Sequence, residues 1–159
     1  AAPDMAGEAG AVTEAGVAAT LAASFVEGVH SEQVLPGPTG ESNRLTLVPR
    51  SPVLCLGPSA AAASCQADMV RALGGHAVDA SGLEVGALTR LQGFSGAIWW
   101  GDAVGGRDRA QALAARNGPI LPLIGGQPDR GHALMERHVC IDTTASGGNA
   151  QLLAEAAAA

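Results

Sequence analysis

Short apolar runs recur along the chain from about residue 50 onwards, and each has the length and composition of a buried β-strand. Helical stretches of roughly ten to fifteen residues separate most of these runs. Strands that alternate with helices in this way are typical of a parallel sheet. We therefore predict an α/β fold, a Rossmann-like and mostly parallel sheet with helices on both faces. The five runs are Pro52–Gly57, His76–Asp79, Gly96–Gly101, Pro119–Ile124 and His138–Asp142.

Capping residues indicate where the intervening helices begin. Ser59 opens the first helix, and one side of that helix is expected to face the core with Ala62, Cys65, Met69 and Leu73. Ser81 and Glu84 have the spacing of a capping box for a second helix. A third helix is predicted around Arg107–Arg116.

The first part of the chain has a different pattern. Val17, Leu21, Phe25 and Val29 recur every four residues, which predicts one amphipathic helix as an N-terminal arm. The segment 35–41 has two prolines and two glycines, which exclude a helix or a central strand and predict a stiff, shaped loop. We expect Gly37 or Gly40 to have a backbone conformation that side chains disfavour. We expect a helical arm or linker over 1–34, the Rossmann-like domain over 35–142, and an extended tail over 143–159.

The composition narrows the range of functions. Hydrophobic residues make up 47% of the 159, so the chain can form a core, although alanine and glycine bury little area each. The net charge is −6, and all nine basic residues are arginine, which argues against nucleic acid and anionic membranes as partners. No apolar run approaches the length of a membrane span, and we expect a soluble, cytoplasmic protein without membrane insertion. The absence of lysine and tyrosine excludes Schiff-base and phenol chemistry.

Nucleotide binding is the first function that the predicted fold suggests. The turn after the first strand of the sheet would carry a glycine-rich fingerprint, but it contains Gly57, Pro58 and Ser59. Pro58 lacks the backbone donor that a pyrophosphate needs, and Asp79 has only the spacing of the expected acid. The turn therefore argues against dinucleotide binding by this chain.

Cysteine and histidine give two further candidates for chemistry. Cys55, Cys65 and Cys140 lie in predicted strands and on a helical stripe, which favours reduced, buried side chains over nucleophiles or disulfides. His132, His138 and Cys140 match no familiar zinc spacing. We expect neither a catalytic residue nor a metal site in this chain.

Three polar features leave alternatives open. Asp102 ends a predicted strand at the edge where α/β ligands bind, but a helix cap is the favoured interpretation. Glu41 and Arg44 either fix the loop before them against a neighbour or are solvated. The segment 143–149 is rich in hydroxyl groups and glycine, and it suits either an anion-binding nest or an extended docking strip.

Several blocks of sequence resemble the region near the end of PutA proteins. The first is Leu35-Pro-Gly-Pro-Thr-Gly-Glu-Ser-Asn-Arg44, which Leu47–Arg50 and Val53–Leu56 follow. The second is Ala114-Ala-Arg-Asn-Gly-Pro-Ile120, and the third is Glu136-Arg-His-Val-Cys-Ile-Asp-Thr-Thr-Ala-Ser-Gly-Gly-Asn-Ala150. They occur in the family's order and with roughly its spacing, over residues 35–153.

The resemblance implies a parent polypeptide with a proline dehydrogenase and an NAD-dependent glutamate-semialdehyde dehydrogenase. Together these modules would oxidise proline to glutamate, with FAD and NAD bound outside this chain. The segment here would be a non-catalytic C-terminal module that supports the aldehyde dehydrogenase and helps to close an internal passage for the intermediate. The implied docking motifs contain Pro36, Gly37, Pro38, Thr39, Gly40, Glu41, Arg44, Thr143, Thr144, Gly147, Gly148 and Asn149.

Some features depart from the family, and two other functions stay open. Residues 80–95 are short for the family, 1–30 resemble it only loosely, and no segment resembles the flavin barrel or the catalytic-cysteine loop. The first residue is not methionine, so we expect an excised or truncated piece. The alternatives are a free-standing nucleotide-binding domain and a non-enzymatic interaction or oligomerisation domain. Partners would be the other modules of the parent or further copies of the chain.

Overall fold

A computed structural model of the chain describes residues 12–142. Their contacts form two units, one from residues 12–27 and 49–134, the other from 28–48 and 135–142. The division that we predicted at residues 34 and 142 stays a prediction. In chain order the elements are α1 (Glu14–Ser24), β1 (Ser31–Leu35), β2 (Glu41–Pro49), β3 (Val53–Cys55), α2 (Ala60–Ala72), β4 (Ala77–Asp79), α3 (Ala87–Arg90), β5 (Gly96–Ile98), α4 (Ala103–Ala114), β6 (Leu123–Ile124), α5 (Arg130–Ala133) and β7 (Leu134–Asp142).

The first unit contains a four-stranded parallel sheet in the order β4-β3-β5-β6. Val53 at the start of β3 is in register with Ala77 on one side and Gly96 on the other. The chain thus adds β4 on one side of β3 and then returns to add β5 and β6 on the other side. This reversal creates a switch point between β3 and β5, as in doubly wound folds.

Helices cover both faces of this sheet, which confirms the predicted fold class. On one face Leu54, Val78 and Ala97 join a core cluster that includes Val17 of α1 and Leu113 of α4. Helix α2 contacts β3 and β4 and places its own buried side chains outside that cluster. Those side chains belong to Ala63, Gln66, Ala67 and Val70.

Arg116, just beyond α4, connects the end of that helix to α3 and to the residue that follows α3. Its guanidinium donates to the carbonyl oxygen of Leu88 at 2.6 Å and to that of Leu91. The same group lies over the ring of Phe94, 4.5 Å from its centroid. One side chain therefore satisfies two carbonyl groups and covers an aromatic ring of the core.

Two predictions about helices were wrong in detail. The buried stripe of α2 lies one residue beyond the predicted one, so Cys65 is exposed. In an alanine-rich helix several faces are equally apolar, so the helical spacing of apolar residues does not determine which face is buried. Ser81 and Glu84 form no capping box: the Ser81 amide donates to Asp79, and Glu84 accepts from the amide of Gly86.

The N-terminal stripe is also only partly a helix. Helix α1 buries Val17 and Leu21 but ends at Ser24, before the exposed Phe25 and Val29. No helix in residues 12–142 is long and apolar enough to cross a membrane.

The second unit is a three-stranded sheet in the order β1-β2-β7. Strands β1 and β2 form an antiparallel hairpin in which Ser31 is in register with Leu47 and Leu35 with Asn43. The run at 138–142, which we expected in the parallel sheet, belongs to β7 and lies beside β2 instead. A short apolar run predicts a strand, but it does not specify which sheet the strand joins.

Candidate functional site

The loop at 36–40 connects β1 to β2, and most of it is exposed. The amide of Glu41 donates to the carbonyl oxygen of Pro38 at 3.1 Å, which closes a tight turn. Gly40 has a φ of 90°, in the left-handed region that residues with a side chain rarely adopt. This confirms the prediction that a glycine of the loop has such a conformation.

The loop also folds closely over the first residues of β2. A Cβ atom on Gly37 would lie 2.7 Å from Nδ2 of Asn43, so a side chain at residue 37 would displace the amide group of Asn43. Asn43 is only 8% exposed, and its Nδ2 donates to Oε1 of Glu41 at 2.6 Å. The shape of the loop therefore depends on Glu41 and Asn43 as well as on the glycines.

Glu41 has a second partner across the sheet. The thiol of Cys140 on β7 donates to Oε1 of Glu41, with 3.2 Å between Sγ and Oε1. This hydrogen bond, with a smaller effect of burial and the negative charge of Glu41, raises the pKa of the Cys140 thiol. The thiolate is the nucleophilic form of cysteine, so Glu41 makes Cys140 a poorer nucleophile.

Arg44 does not join this cluster. It pairs with Glu32 on β1, at 3.7 Å, and the two side chains are 56% and 47% exposed. A pair of this kind contributes about 0–1 kcal/mol to stability. The remaining predicted docking residues, Thr143, Thr144, Gly147, Gly148 and Asn149, lie outside the described residues.

In the first unit, a buried glutamine occupies the turn where a nucleotide phosphate would bind in this fold class. Gln66 of α2 is 0% exposed. Its Nε2 donates to the carbonyl oxygen of Gly57 at 3.1 Å, and its Oε1 accepts from the amide of Gly57 at 3.1 Å. Gly57 has a φ of 88°, and a Cβ there would lie 2.5 Å from the amide nitrogen of Ser59. The backbone groups of Gly57 are thus bonded within the protein.

The neighbouring strand closes the same edge of the sheet. The amide of Trp100, just beyond β5, donates to the carbonyl oxygen of Gly57 at 3.0 Å. Asp102 caps α4 by accepting from the amide of Gly105 at 2.8 Å, which lowers the pKa of its carboxyl group and confirms the cap interpretation. The guanidinium of Arg109 lies over the ring of Trp99, 3.5 Å from its centroid.

The cysteines differ from what we expected. Cys55 is buried, and burial raises the pKa of its thiol to about 12, helped by the charge of Asp79. Cys65 and Cys140 are exposed, so the prediction that all three are buried was wrong. Within residues 12–142, no group of three His, Cys, Asp or Glu side chains could hold a metal ion.

No known protein-family model matches the chain. Individual proteins do match it. The chain is 33% identical over 147 residues to the Bifunctional protein PutA of Salmonella typhimurium and 31% identical over 147 residues to that of Escherichia coli. Each alignment covers 77% of this chain and only 11% of the relative. The chain therefore matches one region of much longer proteins.

The chain was also compared with solved structures. A crystal structure of a bifunctional proline utilization A (PutA) protein is 24% identical, with a TM-score of 0.45, over 69% of this chain and 14% of that one. A mutant of Bradyrhizobium japonicum PutA is also 24% identical, with a TM-score of 0.40, over 69% of this chain and 15% of that one.

Proposed function

We propose that this chain, which matches one region of the bifunctional PutA proteins, is a non-catalytic module from the C-terminal part of such an enzyme. The observation that carries the proposal is the 33% identity over 77% of the chain and only 11% of the relative. The parent would oxidise proline to glutamate in two steps, with FAD and NAD held by its other modules. A cytoplasmic location for that parent is part of the proposal.

Two features support a non-catalytic role: the turn at which a nucleotide would bind, and the thiols that could act as nucleophiles. The nucleotide-type turn is occupied by Gln66, whose amide bonds both backbone groups of Gly57. An aldehyde dehydrogenase also needs a reactive thiolate, whereas the thiols of Cys55 and Cys140 both have a raised pKa. We therefore expect the purified chain to oxidise neither proline nor glutamate semialdehyde.

The module would act through its surface. The hairpin loop at 36–40 is exposed, yet its shape is set by the turn at Gly40 and by the bonds of Glu41. A loop with one fixed shape loses little conformational entropy on docking. We propose that it contacts the aldehyde dehydrogenase module and that the segment 143–153 helps to close the passage through which the intermediate moves.

The test uses a PutA enzyme from which the matching region has been deleted. Adding this chain in trans should restore the aldehyde dehydrogenase step while the flavin-dependent oxidation of proline changes little. Addition of the Gly40→Val chain should restore less. Failure of the wild-type chain to bind or to restore activity would refute the supporting role, as would NAD-dependent turnover by the chain alone.

The closing role of the tail needs a separate experiment. In the complete enzyme, deletion of residues 143–153 should lengthen the lag before NADH appears, because the intermediate escapes into solvent, while proline oxidation stays nearly intact. Stopped-flow measurement of both steps provides the comparison. An unchanged lag with an unchanged aldehyde dehydrogenase rate would rule out the closing role.

A further inference from the structure

A cleft of about 340 Å³ lies at the opposite end of the parallel sheet from the closed turn at Gly57. Val53 and Gly96, the first residues of β3 and β5, contribute to its lining. The segment 119–122 and part of α5 form further walls. The volume is in the range of small-molecule sites in proteins.

One end of the cleft carries a fixed cation, Arg50. Its Nε donates to the carbonyl oxygen of Gly131 at 2.8 Å and to that of Leu134 at 3.1 Å. These bonds hold the plane of the guanidinium but use only the Nε–H donor. A guanidinium has five N–H donors, and the four on its two Nη atoms form no hydrogen bond within residues 12–142.

A second polar side chain of the cleft, His132, comes from α5. Nδ1 of His132 lies 3.1 Å from the amide nitrogen of Asp129 and 2.8 Å from Oδ1 of the same residue, so Nε2 is the ring nitrogen that is not engaged by Asp129. The carboxylate nearest to this ring belongs to Asp129; it accepts from the amide of His132 at 3.1 Å, and it does not line the cleft. Both Arg50 and His132 do line it.

The other wall of the cleft is apolar. Ile120 is 97% exposed and stands among Pro119, Leu121 and Pro122 on the segment before β6. Gly96 keeps this wall close to the sheet, because a Cβ there would lie 3.0 Å from Cγ of Pro122. A site with the guanidinium of Arg50 and the imidazole of His132 at one end and aliphatic surface at the other suits an amphipathic anion.

We propose that this cleft binds a small carboxylate with a branched aliphatic chain. The guanidinium of Arg50 holds the carboxylate with the ring of His132 beside it, and the aliphatic chain lies against Ile120 and Pro122. A carboxylate fits the planar fork of arginine, and contact with the ligand removes the side chain of Ile120 from water.

The test is ligand-observed saturation-transfer NMR on the full chain, with 4-methylpentanoate as the probe and 4-methylpentanamide as its neutral isostere. We expect a millimolar or lower dissociation constant for the acid and binding at least about tenfold weaker for the amide. Inorganic phosphate should compete poorly because it lacks the aliphatic chain. Equal binding of acid and amide would overturn the proposal, and so would no binding of the acid to a chain that unfolds cooperatively.

Variants separate the two ends of the site. Arg50→Gln should weaken binding of the acid about tenfold or more and leave that of the amide nearly unchanged. Ile120→Ser, at a fully exposed position with little cost to folding, should weaken binding of the acid about fivefold. Val104→Ser, at another exposed position, is the matched control and should change nothing. Unchanged affinity in Ile120→Ser would overturn the proposal even if Arg50→Gln failed to fold.

Discussion

Replacing Gln66 by methionine tests whether the closed turn at Gly57 is a structural feature of the first unit. Methionine has nearly the length and volume of glutamine, so the substitution removes the amide group and leaves little cavity. Gln66 is 0% exposed and makes two hydrogen bonds of 3.1 Å to Gly57. The variant therefore isolates the energetic contribution of those bonds.

The two backbone groups of Gly57 respond differently to the change. Its carbonyl oxygen keeps the amide of Trp100 as a donor at 3.0 Å, whereas its amide loses the acceptor Oε1 of Gln66. An orphaned buried donor costs about 1–3 kcal/mol, and the removal of a buried side-chain amide offsets part of this. We expect Gln66→Met to lower the free energy of unfolding by about 1–2 kcal/mol.

Urea unfolding followed by circular dichroism measures this difference, provided that the slope of the transition stays the same. Gln111→Met, at an exposed position on α4, is the matched control and should lie within about 0.5 kcal/mol of the wild type. Equal stability of the two variants would show that the bonds of Gln66 to Gly57 add nothing, and the account of the turn would be wrong.

Three further predictions concern the hairpin and the end of α4. Gly40→Val should destabilise the hairpin by about 1–3 kcal/mol because φ is 90° there, and an unchanged unfolding midpoint would contradict this. Glu41→Gln should lower the pKa of Cys140, so that alkylation of Cys140 near about pH 8.5 becomes faster while Cys65 reacts as before. Equal acceleration of both thiols would argue against a specific hydrogen bond between Glu41 and Cys140. Arg116→Lys should lower the free energy of unfolding by about 1–3 kcal/mol in thermal unfolding, because a lysine has no planar group that can lie over the ring of Phe94 while its ammonium reaches the same two carbonyl oxygens; a neutral result would refute this.

Local chemistry made some features predictable from the sequence. The prolines and glycines at 36–40 predicted a shaped loop with a strained glycine, and Gly40 has a positive φ. Asp102 precedes a helix, and it caps α4 as its residue type favours. In these cases the conformation depends on a few neighbouring residues, so the sequence contains the necessary information.

Features that depend on distant partners were not predictable. Cys140 is 99 residues from Glu41, and they meet only because β7 joins the sheet of β2 rather than the parallel sheet. The sequence gives only a weak indication of the role of Gln66, namely a polar residue among the alanines of α2. It was missed because apolar periodicity does not reveal a buried side chain whose amide bonds the backbone of another segment.

The closed turn bears on where this module would bind a partner. In doubly wound folds, ligands usually bind at the carboxyl ends of the strands, where backbone amides point outwards. Here Gln66 and Trp100 bond the backbone of Gly57, so a ligand at that turn would have to displace buried hydrogen bonds. Each such displacement opposes binding by roughly the cost of an unsatisfied buried group, about 1–3 kcal/mol. Recognition through exposed features such as the 36–40 loop carries no such penalty, which favours surface docking over nucleotide binding as the role of this chain.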